Sequence, residues 1–384
     1  MPDATQLLHV PVEWYRRMRA TQPVAYDAKF KSWNVFRYDD ALRILNDHAN
    51  FSSEARGGAR EAPLPSIVGM DPPRHRQLRG LVNQAFTPRV VELLATRITA
   101  IAGELVDLAA RQGRMDLIQE FAYPIPIRII AELLGIPVEE QATFRRWSET
   151  LITGPRTDAL RGRSFAEERS ASLRDLNDYF LGKLAERRKS PRQDLMSRLI
   201  AAEVDGERLV DNDLLEFCRL LLIAGYETTA CLIGSTALCL TERPEVAAEL
   251  RRDPSLLPGA IEEAIRCYPS VAGTMRVTTA DVDVAGQRIE KGQSLIVWIG
   301  SANYDEAHFV DPERFDIRRS PNRHLGFGVG IHFCVGAPLA RLEARIAIGQ
   351  LLEHFPKLER DPSRPIEPVD SPFLFGVKHL DVVF

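Results

Sequence analysis

Apolar residues recur at α-helical spacing along most of the chain. The segments with this pattern are 11–20, 89–112, 126–134, 140–153, 165–188, 194–202 and 337–354. Shorter runs of β-branched and aromatic residues between turn residues predict strands within 23–37, 271–277, 282–289 and 294–299. Because no linker interrupts this pattern, we expect a single domain over residues 1–384 that is mainly α with a small β portion.

The longest helical signal runs from about Asp211 to Glu242, and Pro244 follows it. Its middle, LLLIAGYETTACLIGSTALCL, is apolar on every face, which is typical of a membrane span or of a central buried helix. Glu227 lies at mid-length, where a charge would be costly in lipid, and no second such segment exists. We therefore expect a buried helix in a protein that does not associate with membranes.

Composition narrows the class of protein further. The chain has 384 residues, 45% of them hydrophobic, and a net charge of −4, which disfavours a general nucleic-acid binder. An odd number of cysteines without C-x-x-C spacing argues against a disulfide framework or a zinc ribbon. The N-terminus lacks the pattern of a signal peptide, so we expect a cytoplasmic protein with reduced thiols. The cysteines are Cys218, Cys231, Cys239, Cys267 and Cys334.

One of these cysteines, Cys334, lies between a run of glycines and an amphipathic helix, in the sequence GFGVGIHFCVG. Glycine allows positive φ and close backbone approach, and the helix beginning near Ala337 points its positive end at the sulfur. Both effects favour a thiolate. Two other interpretations remain open on these residues alone: a small buried hydrophobic residue, or a phosphate-binding loop that lacks the Lys-Ser/Thr of a P-loop.

The full pattern F-G-x-G-x-H-x-C-x-G resembles the haem-ligand loop of the cytochrome P450 family, and it is highly specific. The resemblance implies the cytochrome P450 fold around a buried haem b, with Cys334 as the axial thiolate on iron. Such a thiolate pushes electron density onto the metal. Phe327 would shield the sulfur, and Gly328, Gly330 and Gly336 would let the backbone approach the cofactor.

A second motif of that family is an acid–alcohol pair on the central helix, and the sequence AGYETT matches it. The resemblance implies that Ala224 leaves room for O2, that Thr228 hydrogen-bonds dioxygen or orients a water, and that Glu227 relays protons from solvent. A dry pocket needs such a route for protons. The alternative for Thr228 is a simple hydrogen bond to the carbonyl one helical turn back.

A third motif, Glu263-Ala-Ile-Arg266, places an acid and a base on one helix face. The family's pattern adds Arg314, from the sequence PERF, as a third partner of a buried ion pair that holds the segment before the cysteine loop. The alternative is a surface pair worth about 0–1 kcal/mol.

Haem carries two propionates, which need cations or hydrogen-bond donors. His75 and Arg79 are four residues apart and project from one helix face. Arg276 and His332 match the family's other propionate contacts. Each of these four residues alone would be an ordinary surface residue.

The resemblance covers the chain from about residue 20 to the end and implies a soluble haem-thiolate monooxygenase. Such an enzyme inserts one oxygen atom from O2 into a hydrophobic small molecule. Its electrons come from a separate ferredoxin or flavodoxin-type donor, for which Arg74, Arg76 and Arg341 are candidate contacts. The alternatives are a peroxide-driven peroxygenase and a haem sensor or carrier without catalysis. Glu227 and Thr228 disfavour the peroxygenase, and Thr228 disfavours the sensor or carrier.

The candidate walls of the substrate pocket are mostly apolar, which favours a hydrophobic ligand. They are the 54–69 loop, Leu220–Thr229, Val271–Met275 and Phe373–Phe375; Arg56 and Arg60 could hold a carboxylate. Three positions depart from residues that are frequent in the family: Tyr304, Gly326 and Phe375-Gly376.

Overall fold

A computed structural model describes residues 10–54, 67–152, 163–204, 206–369, 371 and 373–384. The helices of these ranges are α1 (Val12–Thr21), α2 (Tyr38–Asn46), α3 (Arg74–Ala85), α4 (Pro88–Leu93), α5 (Ala95–Gln112), α6 (Pro124–Leu133), α7 (Gln141–Ile152), α8 (Arg163–Lys189), α9 (Leu195–Ala201), α10 (Asp211–Glu242), α11 (Pro244–Arg252), α12 (Leu257–Cys267), α13 (Ile299–Ala302) and α14 (Ala337–His354).

The strands are β1 (Val24–Asp27), β2 (Ser32–Val35), β3 (Phe51–Ser52), β4 (Arg114–Asp116), β5 (Glu203–Val204), β6 (Glu207–Arg208), β7 (Thr274–Thr278), β8 (Val282–Val284), β9 (Gln287–Ile289), β10 (Ser294–Val297), β11 (Glu359–Arg360) and β12 (Asp381–Val383). In the described residues they form a five-stranded sheet of order β1-β2-β10-β7-β3, a three-stranded sheet of order β11-β12-β4, and the pairs β5-β6 and β8-β9.

The larger sheet joins distant parts of the chain. Strand β10 runs parallel to β2 and antiparallel to β7, with Val297 opposite Val35 in the parallel register. Val35, Leu295 and Val297 are fully buried in one apolar cluster with residues of α2. Each such side chain stabilises the fold by about 1.5–3 kcal/mol. The sheet is therefore fastened to α2 and, through α2, to the cysteine loop.

Helix α10 has the bounds that the apolar pattern predicts. The Asp213 carboxylate accepts a hydrogen bond from the amide of Val210 at 3.3 Å, and Pro244 begins the next helix. By length and composition α10 could cross a membrane, but 72% of its apolar window is buried inside the protein. It packs against α6, α8, α12 and α14, as the central helix of a large core does.

Some elements differ from the sequence-based predictions. The predicted helix over 89–112 is divided at Leu94, because α4 is capped separately by Thr87, whose hydroxyl accepts from the amide of Val90. Helix α2 was not predicted. The predicted strand over 294–299 ends at Val297, and α13 follows it. Residues 55–66 of the predicted pocket loop lie outside the described residues.

Candidate active site

The loop before α14 is held by backbone hydrogen bonds that present the Cys334 side chain. The amide of Cys334 donates to the carbonyl of Phe327 at 2.9 Å. Gly328 and Gly330 have φ of +69° and +66°, where other residues are strained. A Cβ at Gly330 would also lie 3.2 Å from the Leu45 carbonyl oxygen. Two glycines of the motif are thus needed for the loop itself and for its contact with α2.

Burial raises the pKa of the Cys334 thiol above its ordinary value. The backbone N–H groups of Gly336 and Ala337 and the charges of Arg79 and Arg341 act in the opposite direction. The loop and helix thus favour the thiolate as predicted, but burial outweighs them. A metal cation deprotonates a coordinating thiol, so the site fits a sulfur that is bound to a metal.

The four residues predicted to hold propionates fall on one cluster beside this loop. The rings of His75 and His332 lie 4.4 Å apart, and His332 Nε2 is 2.9 Å from the hydroxyl of Ser53. Arg79 Nη2 donates to the carbonyl of Phe333 at 2.7 Å. Segments that are distant in sequence therefore meet next to Cys334.

The positive charge of this cluster comes from Arg79 and Arg276. Burial and the charges of Arg276, His75 and Arg79 lower the pKa of His332 to about 3, although Asp71 opposes them. Burial also lowers the pKa of Arg276, again against Asp71. Cations and donors packed this closely suit an anionic ligand, as the two carboxylates of haem would be. The residues therefore fit the group that the sequence implies.

The acid and the alcohol of α10 face different surroundings. Thr228 is half-buried and Ala224 is exposed, and the two lie on the same face of α10. The Thr228 hydroxyl donates to the Ala224 carbonyl at 2.6 Å, which is the alternative left open by the sequence. Glu227 is buried, and the hydroxyl of Tyr123 donates to its Oε1 at 3.2 Å.

Tyr123 was not predicted to belong to the site. It lies 104 residues before Glu227, so that no motif spacing connects the two. Burial raises the pKa of Tyr123, and the nearby Glu227 raises it further, so this hydroxyl stays protonated and can donate.

Glu263 and Arg266 form the predicted ion pair, and both are completely buried. Arg266 Nη2 lies 2.7 Å from Glu263 Oε1. The third partner is Arg319, whose Nε lies 3.0 Å from Glu263 Oε1. The prediction of Arg314 is corrected in this respect. Its side chain is exposed, and its carbonyl accepts from Arg266 Nη2 at 3.3 Å and from Arg319 Nη2 at 3.1 Å.

Two of the unusual positions have a packing reason. A Cβ at Gly326 would lie 2.5 Å from Ile265 Cγ2 and 2.9 Å from its carbonyl oxygen, so alanine would displace backbone. Tyr304 is buried, its hydroxyl donates to the Cys267 carbonyl at 3.2 Å, and Arg266 lies over its ring. Both positions thus belong to the supports of the cysteine loop.

The three arginines proposed for docking an electron donor differ in availability. Arg74 forms an ion pair with Asp213, and Arg341 is bound by both oxygens of Glu262 at 2.6 and 2.8 Å. Arg76 is exposed on α3. Of the three, Arg76 is the one for which the structure gives no internal ion pair within the described ranges.

Three of the four predicted pocket walls meet. The amide of Ala272 donates to the Phe373 carbonyl at 2.8 Å, and the amide of Phe375 donates to the Ser270 carbonyl at 2.9 Å. The Ser270 hydroxyl donates to the Thr228 carbonyl at 2.7 Å, which ties both segments to α10. Arg56 and Arg60 of the fourth wall lie outside the described residues.

A family model described as Cytochrome P450 matches residues 162–383 of the chain. The match covers more than half of the chain and includes the acid–alcohol pair, the buried ion pair and the cysteine loop. The chain belongs to the cytochrome P450 family, whose members are haem enzymes that act on small molecules with O2. It is a cytochrome P450 monooxygenase.

Relatives match over nearly their whole lengths. The chain is 39% identical over 391 residues to the cyclomarin C epoxidase CymV of Salinispora arenicola, covering 100% of this chain and 97% of that protein. It is 38% identical over 389 residues to the erythromycin C-12 hydroxylase of Saccharopolyspora erythraea, covering 100% and 96%. The crystal structure of CYP109E1 from Bacillus megaterium with testosterone aligns with a TM-score of 0.89 at 37% identity, covering 97% and 99%. The predicted fold class is confirmed.

Proposed function

We propose that the protein is a cytoplasmic, haem b-dependent monooxygenase that hydroxylates or epoxidises a hydrophobic small molecule with O2. Its electrons come one at a time from a separate ferredoxin or flavodoxin-type protein. The observation that carries this proposal is that the half-buried Thr228 and the buried Glu227 are neighbours on α10. A carrier or sensor would need neither group.

In this proposal Cys334 holds the iron, and His75, Arg79, Arg276 and His332 hold the propionates. Haem, when bound, supplies the activation of O2 and the transfer of one oxygen atom. Thr228 releases its hydrogen bond to the Ala224 carbonyl and turns its hydroxyl away from the backbone of α10.

In this proposal Glu227 supplies the proton that the reaction with O2 needs. Its carboxyl, now bonded by Tyr123, passes the proton toward the Thr228 hydroxyl and is recharged from solvent. Both groups must leave a hydrogen bond that they make here, so the delivery of the proton is a conformational step as well as a chemical one.

The nature of the substrate is supported by the apolar walls and by the relatives. Those relatives include proteins named for epoxidation of cyclomarin C and for hydroxylation of erythromycin, and a structure solved with testosterone. We propose a hydrophobic small molecule as the substrate, bound between α10 and the segments 270–275 and 373–375.

The test begins with the absorbance spectrum of the purified protein. We expect a Soret band, a carbon monoxide adduct of the reduced protein with the red-shifted band of sulfur ligation, and a spin-state shift with steroids or macrolides. Product should form with a ferredoxin system and O2. Turnover with hydrogen peroxide alone would instead establish the peroxygenase, and a spectrum without sulfur ligation would contradict the proposal.

A further inference from the structure

An ion pair lies against the cysteine loop on the side of α14. Arg341 donates to both carboxylate oxygens of Glu262 in α12, with Nε–Oε1 and Nη2–Oε2 distances of 2.6 and 2.8 Å. His324 adds a third hydrogen bond to Glu262, from Nε2 at 3.0 Å. Its Nδ1 accepts from the amide of Gly326 at 3.2 Å, so the ring proton lies on Nε2.

This pair is held close to the iron ligand. The guanidinium carbon of Arg341 lies 4.5 Å from the centre of the Phe327 ring. The carbonyl of Phe327 accepts from the amide of Cys334 at 2.9 Å. Phe327 therefore contacts both the guanidinium and the backbone of Cys334. Glu262 sets the position of that guanidinium and how much of its charge remains uncompensated.

We propose that Glu262 is a positioning residue for the metal site: by holding and neutralising Arg341 over Phe327, it sets the reduction potential of the iron bound to Cys334. The inference rests on the proposed function, since it requires that iron. It also gives Arg341 a role that differs from contact with an electron donor.

The physical reason is the charge that reduction adds. One electron from the donor converts ferric to ferrous iron and makes the ligated site more negative by one unit. A nearby positive charge stabilises the reduced form, and a nearby negative charge destabilises it. Removing the charge of Glu262 should therefore raise the potential, whereas removing that of Arg341 should lower it.

The test uses the haem-loaded protein in a spectroelectrochemical titration of the ferric–ferrous couple. We expect Glu262→Gln to shift the potential in the positive direction and Arg341→Gln in the negative direction. The double variant should return toward the unmodified value. The two side chains are 31% and 35% exposed, so that added salt should reduce both shifts.

Glu249→Gln is a matched control. Glu249 lies in α11, outside the cysteine loop. It pairs with Arg318, whose Nη1 lies 2.5 Å from Glu249 Oε1. It should leave the potential unchanged. Shifts of the same sign in the two single variants, or shifts no larger than that of the control, would overturn the inference, because a purely structural role predicts loss of stability without opposite signs.

Two further measurements keep the outcome decisive. If Glu262→Gln folds poorly, Arg341→Lys keeps the charge but loses the two-fold contact, and it should change the potential less than Arg341→Gln does. An unmodified protein without the spectrum of sulfur ligation would overturn the proposed function, and that result is seen before any variant is made.

Discussion

Tyr123 determines the orientation of the Glu227 carboxyl on α10, which the motif alone does not predict. Its hydroxyl holds Oε1 of Glu227, and its ring lies 5.8 Å from that of Tyr226. The motif alone places acid and alcohol side by side, but it does not say where their side chains point. In the structure the acid is directed toward α6. If Glu227 carries protons as proposed, Tyr123 sets the position from which it starts.

Tyr123→Phe should alter proton delivery with little effect on folding. The ring keeps its packing, and the loss of one hydrogen bond at a buried carboxylate should cost about 1–3 kcal/mol. Because Glu227 no longer has to leave the Tyr123 bond before it delivers its proton, we expect a smaller solvent isotope effect on turnover and less peroxide released per NADPH.

The control for this variant is Tyr179→Phe. Tyr179 donates to Glu140 in a similar tyrosine–carboxyl pair between α8 and the turn at Val138–Glu140. It should leave the isotope effect and the coupling unchanged. Equal isotope effects in the two variants would contradict the assignment of Tyr123.

Glu262 should also contribute to the pH dependence of the stability of the protein in acid. Burial raises its pKa, but hydrogen bonds from Arg341 and His324 more than offset this and lower it from 4.5 to about 2. The folded state therefore releases this proton more readily than the unfolded state. The stabilisation is complete above about pH 4.5 and disappears as the pH falls toward 2.

Unfolding in urea at several pH values measures this effect. Near pH 6 the free energy of unfolding of the unmodified protein should exceed that of Glu262→Gln by about 1 kcal/mol. The difference is small because, for a partly exposed group, solvent screening leaves only part of the pKa shift as stability. The difference should shrink as the pH falls below 4.5. A difference that is constant with pH would exclude the ionised carboxylate as its source.

At the scale of elements, local sequence signals predicted where helices begin and end. The features that were not predicted depend on contacts between residues that are distant in sequence. The ends of α10 and α14 follow from apolar periodicity and from Pro244 and Ala337. The motif residues of the cysteine loop were likewise readable. Arg319 was not identified, although it stands five residues after Arg314 in the same irregular segment. Which arginine reaches Glu263 depends on how that segment folds, and no periodicity reports this.

The corrected triad leads to a comparison of two arginines. Arg319→Ala removes a partner of the fully buried Glu263 and should cost about 3 kcal/mol of unfolding free energy, with loss of haem. Arg314→Ala should stay within about 0.5 kcal/mol, since its bonds use the backbone carbonyl. Chemical unfolding followed by tryptophan fluorescence and by the Soret band measures both. A larger loss for Arg314→Ala would restore the family's pattern.

On the scale of the whole molecule, contacts across nearly the full chain length hold the β portion to the helices. Arg19 in α1 is buried; its Nη1 donates to the Ser301 carbonyl at 3.0 Å, and its Nη2 lies 2.7 Å from Glu306. Nothing in the local sequence around Arg19 distinguishes it from a surface arginine. The sheet order could not be predicted either, because the strand pattern specifies strands but not their neighbours.

The exposed Arg76 leads to a prediction about association with a donor. Arg76→Glu should slow reduction by an acidic ferredoxin, most strongly at low salt, and leave the haem spectrum unchanged. Lys29→Glu, on the exposed turn between β1 and β2, makes the same change of charge and serves as its control. Stopped-flow reduction measures both. Equal rates in the two variants would remove Arg76 from the docking surface.

The parallel pairing of β2 with β10 has a consequence for folding during synthesis on the ribosome. Residues 32–35 leave the exit tunnel long before their partners at 294–297 are translated. At the usual speed of synthesis, about 5–20 residues per second, this edge of the nascent chain waits on the order of 10–50 s. Until then its amides and carbonyls are open to other chains, so chaperone binding to the first hundred residues should be prolonged, and slower codons ahead of position 294 should lower the yield of native enzyme.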